Sequence, residues 1–248
     1  MEIVAVIPAR FASTRLPGKP LLADTGMPLI CHVIEAARRS KRLNRIIVAT
    51  DDSRIVAAVT QFGGEAVMTR ADHPSGTDRV AEVAAGLPNT RIIVNLQGDE
   101  PEISAEALDH VVMMLENDPD APMATLATPI RDEATYRDPS CVKVVIGQSG
   151  RALYFSRSPI PFYRDGLPDD EPIAYLHLGL YAYRRDFLLS FAKLPPSCLE
   201  KAEKLEQLRV LDAGYPVAVG IVEEPSIGID TPDDYARFVV KWKSKRIH

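Results

Sequence analysis

The stretch Ile3-Val4-Ala5-Val6-Ile7-Pro8-Ala9-Arg10-Phe11-Ala12-Ser13-Thr14-Arg15-Leu16-Pro17-Gly18-Lys19-Pro20 decides the fold. Five apolar residues, mostly β-branched, run straight into a polar loop. An unbroken run of this kind is a strand buried on both faces, as in a parallel sheet. Between Ile3 and Ala23 the chain carries Arg10, Arg15 and Lys19 and no acid, although the protein as a whole has a net charge of -5. A loop that leaves a parallel strand with exposed N–H groups and isolated positive charge suits a polyphosphate. The ordinary reading, a solvated basic loop, does not account for that isolation.

Further strand-like runs follow at Arg45–Thr50, Ala66–Thr69, Arg91–Leu96, Met123–Thr128 and Val142–Ile146. Helical periodicity separates the early ones, at Leu29–Ser40, Ser53–Phe62, Thr77–Leu87 and Ala105–Glu116. The alternation predicts βαβ units: an α/β, Rossmann-like fold whose sheet is mixed but mainly parallel, with helices on both faces. Ligands of such sheets bind at the carboxyl ends of the strands. Beyond Thr128 the sequence turns strand-rich, at Ala152–Phe155, Leu178–Tyr183 and Pro216–Val222. We expect one domain over residues 1–248, with a strand-rich, partly antiparallel extension at about 125–183. The proline-rich segment Pro159–Pro172 reads as a mobile connection or lid. Ser197 and Glu200 form a capping-box pattern before one helix with Leu205, Leu208 and Leu211 on a face. Thr231-Pro232-Asp233-Asp234 starts the last helix.

Composition narrows the function. With 248 residues, 46% hydrophobic and 25% charged, and a pI near 5.6, the chain has the make-up of a globular protein without a broad basic surface for nucleic acid or anionic lipid. No apolar run approaches a membrane span, and Met1 leads directly into the first strand, which predicts a cytoplasmic protein with no membrane partner. Cys31, Cys141 and Cys198 lie far apart and fit neither a disulfide framework nor a zinc site.

Three motifs carry the chemistry. In the first loop, Gly18-Lys19 is not a P-loop, because Ser13 stands where the first glycine would be and Pro20 follows the lysine. Pro17 and Pro20 predict an extended loop instead of a helix at Lys19. In Asn95-Leu96-Gln97-Gly98-Asp99-Glu100-Pro101, Asp99 ends a strand, where an acid can hold a hard cation over phosphates, although Gly-Asp also makes ordinary turns. In Gly228-Ile229-Asp230-Thr231-Pro232-Asp233-Asp234, the last two acids are explained by the first turn of a helix, whereas Asp230 reads equally as turn former or metal ligand. Asp72–Arg79 is a polar turn suited to a base edge, with Thr77 as a possible cap. Arg157 and His177 flank strands, where a sugar carboxylate would bind, and a lone histidine is also a common structural residue.

Together, PARFASTRLPGKPL from Pro8, MTRADHPSGTDR from Met68, NLQGDEP from Asn95, VKVV from Val142, ALYFSRSPIP from Ala152, HLGLYAYR from His177, LEQLR from Leu205 and GIDTPDD from Gly228 resemble the CMP-KDO synthetase family, in its order and over nearly the whole chain. The resemblance implies a magnesium-dependent cytidylyltransferase that joins CTP to 3-deoxy-D-manno-octulosonate (KDO), releasing pyrophosphate, for lipopolysaccharide or capsule synthesis. It implies that Arg10, Arg15 and Lys19 handle the triphosphate, with Lys19 also catalytic. Ser75, Gly76 and Gln97 would recognise the nucleotide, and Asp99 and Asp230 would hold Mg2+ and serve catalysis. Arg157, His177, Glu206 and Gln207 would line the sugar site, and the extension would make contacts of a homodimer. Pro74, Asp78 and Phe11 stand where the family often has Gln, Glu and Tyr.

Rival readings are distinguishable. A sugar-1-phosphate uridylyl- or guanylyltransferase would carry a Gly-x-Gly-Thr-Arg loop and a dehydrogenase Gly-x-Gly-x-x-Gly; both are absent. The Ser-Thr-Arg-Leu-Pro-Gly-Lys segment resembles the KDO branch more than the sialic acid branch. Activation of 8-amino-KDO or another acid sugar is the alternative enzyme, and a catalytically silent CTP-binding regulator is the alternative outside catalysis.

Overall fold

The computed structural model describes residues 1–12, 16–168, 171–226 and 228–244. In chain order its elements are β1 (Glu2–Ala9), a 3-10 turn at Lys19–Leu21, α1 (Leu29–Ala37), β2 (Arg45–Thr50), α2 (Ser53–Gln61), β3 (Glu65–Met68), α3 (Gly76–Ala85), β4 (Thr90–Asn95), α4 (Ala105–Asn117), β5 (Met123–Ile130), α5 (Glu133–Arg137), β6 (Lys143–Ile146), β7 (Ala152–Ser156), β8 (Ala174–Arg184), α6 (Arg185–Phe191), α7 (Cys198–Glu203), α8 (Leu208–Asp212), β9 (Val217–Ile221) and α9 (Pro232–Ser244). The chain divides into two compact units, one of Met1–Asp109 with Ser226–His248, the other His110–Pro225. The strand-rich extension expected at about 125–183 lies within the second.

The first unit is the predicted βαβ arrangement. Its strands run parallel in the order β3-β2-β1-β4, with Val6 opposite both Ile47 and Asn95. Val4 to Ile7 of β1, Val48 and Ala49 of β2 and Ile93 and Val94 of β4 are completely buried, as two-sided burial of a parallel sheet requires. Short side chains set the helix starts. Asp52 accepts from Arg54 N at 2.9 Å to cap α2, and Ser75 accepts from Asp78 N at 3.1 Å to cap α3, so the cap is Ser75 and not Thr77. The helix α1 stops at Ala37, short of Ser40, because the next residues wind into tighter i→i+3 turns, Arg39 N to Ala36 O and Ser40 N to Ala37 O.

The late helix α9 joins this unit from the far end of the sequence. Tyr235 and Phe238 pack with Leu16, Leu29 and Ile229 in one buried cluster, flanked by Leu22, Val239 and Trp242. His32 of α1 meets the Trp242 ring edge-on at 4.3 Å, and Asp24 N donates to Tyr235 Oη at 2.9 Å. Burial of each large aromatic contributes roughly 1.5–3 kcal/mol. Thr231 and Asp234 cap α9 reciprocally: Thr231 Oγ1 accepts from Asp234 N at 3.2 Å while Asp234 accepts from Thr231 N at 2.8 Å.

In the second unit β5 pairs antiparallel with β8 and parallel with β9, while β6 forms a hairpin with β7 and also pairs antiparallel with β8. The β5–β8 ladder is interrupted: Thr125 faces Tyr181 and Leu126 faces Leu178, leaving Gly179 and Leu180 unmatched on β8. The expected single helix after Ser197 is two, α7 and α8. The capping box is present, but Lys204 at the end of α7 takes the left-handed conformation (φ 56°) and breaks the run. The described part of the proline-rich segment is tied down, since Tyr136 Oη donates to Pro161 O at 2.7 Å and Tyr163 Oη to Ile173 O at 2.6 Å. Tyr163 and Leu167 pack on the buried Ile130, Tyr136, Ile173 and Ala174.

Candidate active site

Pro8, at the end of β1, is the floor on which the first site is built. A Cβ on Gly98 would lie 3.1 Å from Pro8 O and 3.4 Å from Ile30 Cδ1, and one on Gly76 would touch the Pro8 ring at 3.4 Å. Glycine at 98 lets the 97–100 loop lie directly against the strand end. That loop closes as a turn, Glu100 N to Gln97 O at 3.4 Å, so Gly98-Asp99 does form a turn as well as presenting an acid. In the basic loop, Gly18 adopts a positive φ of 67° close under the Phe11 ring, and the chain then makes the 3-10 turn that starts at Lys19. The extended conformation expected there is replaced by this turn, because Pro20 sits in its first residues, where no N–H is needed.

Lys19 is the centre of the arrangement. Its Nζ donates to Asp99 Oδ2 at 2.7 Å and to Ile229 O at 2.8 Å, and lies 3.4 Å from Asp230 Oδ1. Ile229 N donates to Asp99 O at 2.9 Å, locking the two acidic loops together. Asp230 does not follow a strand directly. It lies in irregular chain before α9, and the docking of that helix brings it to Asp99. Asp230 N is itself held by Asp234 Oδ2 at 3.1 Å. Bonds to the Thr231 hydroxyl and backbone hold the Asp234 carboxyl down to about 2. Asp233 takes no place beside Lys19.

Neighbouring groups have structural partners. The Glu100 carboxyl bonds with the Ser226 hydroxyl, and burial, then the charge of Asp99, pushes it up to about 7. Arg10, exposed beyond β1, donates to the carbonyl of His73, whose buried ring pairs with Glu82. Ser75 and Gly76 begin α3, with the Ser75 hydroxyl also 2.7 Å from Asp78 Oδ2, and Gln97 follows β4 half-buried. Arg15 lies outside the described residues.

A second polar cluster occupies the second unit. His177 Nε2 is 3.0 Å from Thr125 Oγ1, and Gln207 Nε2 is 3.5 Å from His177 Nδ1. Tyr181 Oη is 3.4 Å from Gln207 Oε1. Phe155 meets the His177 ring edge-on at 4.9 Å. Burial pushes His177 down to about 3 and, with the nearby Glu206, pushes the Tyr181 hydroxyl up. Glu206 lies 3.6 Å from the Arg209 guanidinium, which also pairs with Glu200 at 2.5 Å. Arg157 is engaged with main chain: Nε donates to Glu203 O at 2.8 Å and Nη1 to Pro139 O at 3.0 Å, while its own N–H goes to the Glu203 carboxylate.

Three contributors escaped the sequence reading. Thr125 and Tyr181 join His177 and Gln207 only through the β8 bulge, which leaves no local signal. Lys143 does leave one, a lysine inside an apolar strand run. Completely buried, it donates to the carbonyls of Asp138, Cys141 and Arg157 at 2.9, 2.5 and 2.8 Å, and burial lowers its basicity.

A mainly parallel α/β frame, a basic loop after the first strand and an acid pair gathered round one ammonium define a nucleotidyltransferase. Residues 4–221 match the cytidylyltransferase family. The chain is 51% identical over 243 residues to the 3-deoxy-manno-octulosonate cytidylyltransferase of Syntrophotalea carbinolica (96% of this chain, 97% of that one). It is 52% identical over 236 residues to that of Syntrophobacter fumaroxidans (94% of each). A solved CMP:2-keto-3-deoxy-manno-octonic acid synthetase complexed with CTP superposes with a TM-score of 0.92 at 44% identity, covering 99% of this chain and all of that one. The chain belongs to the cytidylyltransferase family, among the 3-deoxy-manno-octulosonate cytidylyltransferases.

Proposed function

We propose that this enzyme transfers CMP from CTP to KDO. The anomeric hydroxyl of the acid sugar gives up its proton to solvent as its oxygen bonds to the α-phosphorus, the bond from that phosphorus to the bridging β-phosphate oxygen breaks, and pyrophosphate leaves with the electron pair. The observation that carries this reading is the Lys19 ammonium held between Asp99 and Asp230. Two carboxylates already gathered on a cation fit a divalent metal that takes its other oxygens from substrate, as Mg2+ does. Bound there, the metal would neutralise charge developing on the phosphates. Among the described residues there is no cluster of three or more metal-ligating side chains.

In this reading Lys19 transfers its donors from the acids to the triphosphate, alongside Arg10 and Arg15. Ser75, Gly76 and Gln97 face the nucleotide. Arg157, His177, Glu206 and Gln207 serve the sugar, whose carboxylate needs a specific cation in a protein of net negative charge. In this reading the enzyme acts as a homodimer in the cytoplasm. Product would feed lipopolysaccharide or capsule assembly.

The test is pyrophosphate release with KDO, 8-amino-KDO and sialic acid, each against CTP, UTP, GTP and ATP. Turnover with KDO and CTP above all other pairs is expected. Preference for 8-amino-KDO would change the sugar, and no turnover of any acid sugar with CTP would overturn the reading. Sedimentation analysis of the same preparation reads the dimer.

A further inference from the structure

The hydroxyl of Thr125 has one proton and faces three partners: Leu180 O at 2.9 Å, Leu178 O at 3.1 Å and His177 Nε2 at 3.0 Å. Both carbonyls can only accept, and two such close contacts weigh for a carbonyl over Nε2 as the target of the single proton, because a proton given to Nε2 would leave both as contacts between lone pairs. They belong to the part of β8 where the register with β5 skips from Tyr181 to Leu178, and the hydroxyl meets main chain there. What Thr125 then presents to the imidazole is lone pairs, so the ring must carry its proton on Nε2. With burial keeping the ring neutral, Nδ1 is left as an acceptor.

The consequence propagates. Gln207 must offer Nδ1 its amide nitrogen, which turns its oxygen toward Tyr181, and Tyr181 must donate to that oxygen. Every direction in the chain Tyr181, Gln207, His177, Thr125 follows from one buried hydroxyl. The register shift lies between His177 and Tyr181 on β8, whose ring centroids are 5.4 Å apart.

We infer that Thr125 is a positioning residue that fixes the Nε2–H tautomer of His177, and through it the amide direction of Gln207 and the proton direction of Tyr181, so that the sugar site offers one donor and acceptor pattern. The functional half of this inference rests on the sugar-site reading given above; the tautomer half does not.

The experiment is 15N-resolved NMR of the histidine side chains in the full-length protein, with Thr125→Val and Thr125→Ser, beside steady-state kinetics on KDO and CTP titrations. Wild type is expected to show His177 protonated on Nε2 and unprotonated on Nδ1. Thr125→Val keeps the branched shape but not the hydroxyl, and is expected to lose that single tautomer and raise KM for KDO about tenfold, the scale of one mispaired buried hydrogen bond, with CTP affinity unchanged. Thr125→Ser is expected to restore both. Nδ1 protonation in wild type overturns the inference without any variant, and so does an unaltered tautomer in a folded Thr125→Val protein. A lost tautomer with unaltered KDO kinetics overturns the functional half and takes His177 out of the sugar site, while the assignment of the CTP site stands.

Discussion

The ammonium of Lys19 lies 2.7 Å from a carboxylate oxygen of Asp99. The same ammonium reaches Asp230, so the cation already between the acids competes with any metal for the same oxygens. Removing it as Lys19→Met is expected to tighten Mn2+ binding severalfold in the absence of nucleotide and to raise the CTP requirement about tenfold or more, with KDO dependence moving less. Electron paramagnetic resonance titration of free Mn2+ reads the first effect and initial rates the second. Unchanged Mn2+ affinity would mean that the ammonium and the metal do not share a seat.

Asp99→Ala and Asp230→Ala are each expected to lower kcat by about 100-fold or more while the thermal midpoint moves little, because neither side chain supports the core. Asp233→Ala is the control, with near wild-type turnover expected. Asp234→Ala has a different signature: it removes the reciprocal cap of α9 and costs about 1 kcal/mol of stability. Loss of catalysis in Asp233→Ala with a normal Asp230→Ala enzyme would show that the wrong acid has been assigned.

How much of this was legible differs by residue. The parallel strands announced themselves because two-sided burial demands apolar runs; Arg45–Thr50 begins and ends where it was read. The convergence of Asp99 and Asp230 was legible only through the resemblance, since it depends on a helix docking through Tyr235 and Phe238 and not on anything beside Asp230 in sequence. The break at Lys204 was invisible because a lysine at positive φ has no pattern of its own. Thr125 looked like any strand threonine, and a two-residue bulge on its neighbour gave it its role.

Arg157→Lys is expected to lose at least one of the two main-chain contacts made by Nε and Nη1, because an ammonium lacks the planar fork. KM for KDO should rise severalfold with CTP binding by calorimetry nearly unchanged. A variant with wild-type KDO kinetics would leave Arg157 as a clasp between Pro139 and Glu203 and shift sugar recognition to His177, Glu206 and Gln207.

His177 gives a pH dependence with a definite sign. Its folded value of about 3 lies below the ordinary 6.5, so between the two the unfolded chain binds the proton and the folded chain does not. The contribution to stability is fully present above about pH 6.5 and is lost as pH falls toward 3. Urea midpoints of wild type and His177→Gln, measured from pH 7 to pH 4, are expected to converge on the acid side as wild type loses this contribution. Parallel curves would show that the imidazole titrates normally in the fold.

Because the first unit is assembled from Met1–Asp109 and Ser226–His248, the chemistry is spelled in an order that synthesis must respect. Lys19 leaves the ribosome 211 positions ahead of Asp230, and the whole second unit is made in between. The nascent chain therefore carries its basic loop and Asp99 without Asp230 while the whole second unit is made, and α9 has to find its place beside α1 after that. Such long-range closure is a slow kind of folding event. Joining of the acid pair thus comes late, and removing α9 yields a protein that keeps both acids but lacks the docking through Tyr235 and Phe238 that brings Asp230 to Asp99.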